Sequence, residues 1–290
     1  MAANTQTLTL SATITDAEFR ALAQLLANTL ESGGVIRTTD TGQVNLSTMT
    51  FPGANNTPAG YEIRRFTDSL QASAPIFIKI EYARGGGANF FDVFLTIGTG
   101  SDGAGNITGV KFPRTQIGLI NNFTSLPCHV SAGTSWFVWY LAANNVSTTS
   151  ALLSLERSKN GTGADTNRGL YLFTNKSPQQ TRFIDVAGVT TPPNDTTNLG
   201  CLAPATQTSG LHSSGNVAVY PYYFFGVGET MPPSRNIVGG FRTDFTGGNT
   251  YSINIYGQPQ TMLKPLTGSF PVTLARGGQP TTLDALIRYE

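Results

Sequence analysis

The sequence predicts a mainly β protein: antiparallel, β-sandwich-like sheets with one amphipathic helix near the N-terminus. Three observations predict it. Short segments alternating polar and apolar residues recur through most of the chain. Glycine, proline and asparagine mark the joints between them, at spacings of about 10 to 20 residues. A single stretch, between Thr15 and Gly34, carries its apolar residues at helical spacing instead.

Thr5 to Thr13 alternates around Leu8 and Leu10 and predicts a first strand. The helix follows. Thr15 and Glu18 have capping-box spacing, so Glu18 can reach back to the Thr15 amide while Thr15 accepts from the Glu18 amide. Phe19, Leu22, Leu26 and Leu30 form one stripe, widened by Ala23 and Leu25, and Gly33-Gly34 supplies the stop. Beyond it, Val35–Thr38 and Gln43–Leu46 read as two strands around a turn at Thr39–Gly42, and Phe51–Gly60 reads as a loop.

Tyr61–Phe66 alternates, and Ile76–Tyr82 and Phe90–Ile97 form a hairpin across Gly85-Gly86-Gly87. A glycine-rich turn, Gly98–Gly105, leads to a strand over Ile107–Phe112. Later strands are expected at Trp136–Ala142, Ala151–Arg157, Gly169–Thr174, Thr181–Val186, Val217–Phe225, Ile237–Phe241 and Thr250–Gly257. Apolar density falls over Asn121–Ser131, which places a domain break there. The expected layout is an α+β unit over 1–120, a β-sandwich-like domain over 121–262, and an extended tail over 263–290, where Pro265, Pro271 and Pro280 interrupt any pattern. Pro192–Ser214 reads as a long polar loop suited to contact.

Charged residues make up 12% of the chain, about half the usual share. The polar surface therefore falls to Thr, Ser, Asn, Gln and Gly, and copies of the chain repel one another little. A net charge of +1 with no basic run gives no footprint for nucleic acid. Residues 1–7 have neither a basic nor an apolar signal region, and no apolar run is long enough to span a bilayer. Two cysteines, Cys128 and Cys201, fit folding in a reducing cytoplasm; whether they are bonded is left open. With His129 and His212 as the chain's two histidines, no metal site and no cofactor site is expected.

Gly98-Thr99-Gly100-Ser101-Asp102-Gly103 matches a dinucleotide fingerprint, but a turn and a strand follow it where a helix is needed to aim amides at a pyrophosphate. It reads as a hairpin loop. Asp102 with Asn106 offers too few carboxylates for calcium. Neither histidine stands in a nucleophile motif, and Cys128-His129 are sequence neighbours, which point apart on a strand. Asp92, Glu156, Asp185, Glu229 and Asp244 are acids a glycan hydrolase would need to pair, and their separation is a spatial matter. No catalytic residue is assigned, and the chain reads as a non-enzyme.

The aromatic clusters carry the candidate interface. Trp136-Phe137-Val138-Trp139-Tyr140 is apolar on both strand faces, and so is the run through Tyr220, Tyr222, Tyr223, Phe224 and Phe225. Such strands are buried between layers, buried against another subunit, or used to stack sugars. Trp136, Trp139 and the residues from Tyr220 to Phe225 are the positions to watch.

The segments Thr5–Ala12, Thr15–Arg20, Thr39–Asn45, Ala59–Ile63, Lys79–Tyr82 and Leu95–Gly103 resemble a family of uncharacterised tailed-bacteriophage virion proteins. The resemblance covers about the first 110 residues; beyond them only the texture is alike. It implies a virion location without a chemistry, and no site residue carries over. The expectation is a structural component made in the host cytoplasm and built into a tail, tail tip or baseplate as symmetric copies. Its partners would be further copies of itself and other virion proteins, with no nucleic acid and no membrane. A receptor-binding or fibre protein gripping a host surface glycan is the alternative, and a capsid decoration protein a third reading.

Overall fold

The computed structural model describes residues 1–88, 90–116, 125–141, 151–159, 164–174, 180–185, 199–201, 219–224, 236–241, 246–255, 258–263 and 283–289. The protein is mainly β, and every strand pairing among these residues is antiparallel.

In chain order the elements are β1 (Ala2–Thr9), α1 (Asp16–Gly33), β2 (Ile36–Arg37), β3 (Thr57–Arg65), β4 (Phe77–Arg84), β5 (Phe91–Gly98), β6 (Gly100–Ser101), β7 (Ile107–Thr108), β8 (Phe112–Gln116), β9 (Ser125–Gly133) and β10 (Trp136–Leu141). There follow β11 (Ala151–Lys159), β12 (Asp165–Thr174), β13 (Gln180–Asp185), β14 (Leu199–Cys201), β15 (Val219–Phe224), β16 (Ile237–Phe241), β17 (Thr250–Ile255), β18 (Gln258–Leu263) and β19 (Leu283–Arg288). They form three main sheets: a central one, β1-β9-β10-β11-β12-β13; a helix-side one, β2-β3-β4-β5-β8; and a C-terminal one, β14-β15-β16-β19-β18-β17. β6 and β7 make a small hairpin of their own.

The helix forms where its caps and stripe require. Thr15 accepts from the Glu18 amide and Glu18 accepts from the Thr15 amide, completing the capping box. Gly34 ends it in the left-handed conformation (φ 98°), which a side chain would strain. Phe19, Leu22, Leu26 and Leu30 are buried in one continuous core. That core also takes Ile78, Ile80, Phe91, Val93 and Leu95 from the helix-side sheet, and Val130, Phe137, Trp139, Leu153 and Leu155 from the central sheet. Phe19 meets Phe91 edge-on at 5.6 Å, and Phe91 meets Trp139 at 6.0 Å, so the aromatic chain crosses from helix to both sheets. A Cβ on Gly33 would stand 2.5 Å from the Ala132 Cβ, which shows how closely the last helical turn lies on β9.

This continuity overturns the expected layout. β1 pairs with β9 along its whole length, from Ala2 opposite Ala132 to Thr9 opposite Ser125, so the first strand belongs to the sheet placed in a second domain. The break expected over Asn121–Ser131 falls partly on β9 itself. Its apolar density is low because His129 and Ser131 face polar partners while Cys128, Val130 and Ala132 face the core. The expected C-terminal tail likewise holds β19, which sits between β16 and β18 with Leu286 and Ile287 buried.

Smaller differences have local causes. Gln43–Leu46 is no strand: Val44 donates one backbone bond to Tyr61, but Gln43 meets β3 through its side-chain oxygen, which accepts the Ile63 amide at 2.8 Å. β3 begins at Thr57, inside the expected loop. Ile107–Phe112 divides between β7 and β8. Of Pro192–Ser214, Leu199–Cys201 is a strand and the rest lies outside the described residues.

Candidate functional site

Trp136 and Trp139 belong to β10, an interior strand of the central sheet, and all six of its residues are buried. Phe137, Trp139 and Leu141 face α1 and the helix-side sheet. Trp136, Val138 and Tyr140 face the opposite way, where the Arg288 guanidinium lies 3.9 Å from the Trp136 ring centre. At 6% and 2% exposure the two tryptophans are consumed between layers of the same chain, so they offer a neighbour almost nothing. Tyr220, Tyr222, Tyr223 and Phe224 lie on β15, next to β14 and β16; their side chains, and Phe225 altogether, are outside the described residues.

Three polar clusters tie the layers together. In the first, Glu62 receives both Nε and Nη2 of Arg64 at 2.8 and 2.9 Å, and the Tyr82 hydroxyl at 2.6 Å. Arg64 Nη1 continues to Glu31 at the end of α1 and to the Val35 carbonyl. Burial works against the Arg64 charge, but Glu62 outweighs it and holds the guanidinium above its ordinary range. Burial, with the Glu62 charge added, pushes the Tyr82 phenol well up, so it remains a donor. In the second cluster, Arg157 of β11 donates its Nε to Asp68, just beyond β3, with both groups buried. Arg157 Nη1 and Nη2 have no hydrogen-bond partner among the described residues, so the guanidinium depends heavily on that one carboxylate.

The third cluster is the seam between the central and C-terminal sheets. The Arg288 carbonyl accepts from Ser131 Oγ at 2.6 Å and from His129 Nε2 at 3.2 Å. That fixes the tautomer: Nδ1 accepts from the Thr5 hydroxyl at 2.7 Å. Tyr289 stacks on the imidazole at 5.3 Å. Burial pulls the His129 pKa down to about 4, so the ring is neutral. Asn236, just before β16, adds bonds to the Phe137 carbonyl and to Ser154 Oγ.

The other sequence candidates are dispersed. The glycine motif forms the β6–β7 hairpin, with no helix after it. Asp102 closes that hairpin's turn by accepting from the amides of Ala104 and Asn106 and from Asn106 Nδ2; these bonds, the Asn106 side chain foremost, hold its pKa down at about 2. Cys128 is a free buried thiol, pushed up to about 12 by burial. Asp92 is buried on the helix-side sheet and accepts from Gln116. Glu156 is buried on the far face of the central sheet and accepts from the Asn236 amide. The Asp185 side chain, Glu229 and Asp244 lie outside the described residues.

One surface escaped the sequence reading. β1 ends the central sheet, and Asn4, Thr5, Gln6, Thr7 and Thr9 are exposed. The signal was present: Ala2–Thr9 contains no charge, no proline and no glycine. No protein-family model matches this chain, and no curated protein matches it.

Proposed function

We propose that this protein is a non-enzymatic structural component of a bacteriophage virion, placed in the tail, tail tip or baseplate and used in symmetric copies. The observation that carries the reading is how the buried ionisable groups are used. Glu62, through Tyr82, and Arg64, Asp68, Arg157 and His129 each bond one layer or element to another. Such ties suit a part that holds its shape under load. The low charge of the surface supports the same reading, since many copies can then sit side by side. So does the resemblance of the first 110 or so residues to tailed-phage virion proteins.

The test is to image purified virions of the phage that encodes the chain and to fit the fold into the density. Occupancy of a tail ring or baseplate is the expected result. Density on the capsid lattice would move the role to decoration, and absence from the particle would overturn a virion role.

A further inference from the structure

We propose that the outer edge of β1, which pairs with no other strand among the described residues, is where a second copy of this chain docks, by antiparallel pairing of β1 with the partner's β1. The proposal rests on the assembly reading above and names its first contact.

An edge strand presents a row of unpaired N–H and C=O groups, and proteins that stay monomeric guard such rows with charge, proline, bulges or brevity. Four of the other five ends of the main sheets follow that rule. β8 carries Pro113 and Arg114, β13 carries Arg182 and Asp185, and β2 and β14 are two and three residues long. β17, uncharged over six residues, is the exception, and it is shorter than the eight residues of β1. β1 runs beside β9 with no register shift, so its outer side is a regular ladder with no bulge to turn it away.

The direction of that ladder follows from the topology. Gly133 and Trp136 are partners across a two-residue turn, so this pair exchanges its backbone bonds. Alternation along β9 then turns its odd-numbered residues toward β10 and its even-numbered ones toward β1. Pro127 agrees: it lies beyond the last β9–β10 partner pair, and its missing N–H faces away from β1. Because Ala2 stands opposite Ala132, the even residues of β1 bond inward. Ala3, Thr5, Thr7 and Thr9 direct their N–H and C=O outward.

A second copy is the occupant that fits. Antiparallel pairing about a two-fold axis sets odd residues against odd, for instance Thr5 of one copy against Thr7 of the other, with Gln6 on the axis. No like charges meet, because the strand has none. The two central sheets become one, both edges are consumed, and growth in that direction stops.

Sedimentation velocity on the full chain across a concentration series tests this. The wild type is expected to be a dimer. Thr7→Pro removes one outward N–H per copy and leaves the inward bonds to β9 in place. It should weaken the dimer at least about tenfold with an unchanged circular dichroism spectrum. Gln6→Pro removes an inward bond and should lower the thermal midpoint instead. If Thr7→Pro misfolds, Thr7→Lys serves: like charges across the axis should dissociate the dimer, and added salt should partly restore it. A wild type that stays monomeric throughout, or a dimer indifferent to both Thr7 variants, overturns the proposal. A monomeric chain found in tail density would sink this contact and leave the virion role standing; a β1-paired dimer absent from virions would do the reverse.

Discussion

His129 shows how one buried side chain sets a pH response. Its neutral ring donates to the Arg288 carbonyl and accepts from Thr5, and protonation would remove the acceptor that Thr5 uses. The folded pKa is about 4 against an ordinary 6.5, so between those values the unfolded chain binds a proton that the folded chain does not. Stability from this group is therefore complete above pH 6.5 and is lost as pH falls toward 4. About 2 kcal/mol should be gone by pH 5. Urea unfolding between pH 7 and pH 5 checks this, and His129→Gln should flatten that slope whatever its own fixed cost. Glu18 acts lower on the scale. Burial works against its charge, but hydrogen bonds from Thr15 and Ser11 prevail and hold its pKa below 4.5. It is a depressed carboxylate, so its contribution is lost only below the ordinary carboxylate range.

At the scale of the element, α1 is held as much by what lies beneath it as by its caps. The capping box and Gly34 fix where it starts and stops. Gly33 fixes how near it comes to β9, since a methyl there would stand 2.5 Å from the Ala132 Cβ and 2.7 Å from the Ala132 carbonyl carbon. The backbone of an interior strand cannot give way cheaply. Gly33→Ala should therefore destabilise by roughly 1–3 kcal/mol, even though alanine is the better helix former. A gain in thermal midpoint would contradict this close approach.

Across the whole molecule, β19 closes the fold. It lies between β16 and β18, and its last carbonyl caps His129 and Ser131 on the central sheet. Arg288 also covers Trp136. Removing residues 283–290 should uncover Trp136 and leave the polar pair of β9 without partners. Tryptophan emission should shift to longer wavelength, and the helix signal in circular dichroism should persist, because α1 sits on the other face of the sheet. An unshifted spectrum would mean that β19 is not needed to cover Trp136.

Much of this fold is local and was legible. Residues at helical spacing between Thr15 and Gly34 gave α1 with both its ends, because caps and stripes act over one turn of chain. Alternation placed β4, β5, β10, β11 and β16 within a residue or two, since a half-buried or layered strand carries its own period. Pairing was not legible. Nothing in Ala2–Thr9 says that it lies beside residues 125–132, and nothing in Leu283–Arg288 says that it enters a sheet between β16 and β18. Both are contacts between residues far apart in the chain, decided by which faces must be covered once the layers form. The same reason moved Trp136 and Trp139 from candidate interface to core. A strand apolar on both faces requires two covers, and only the tertiary structure decided that the chain supplies both itself.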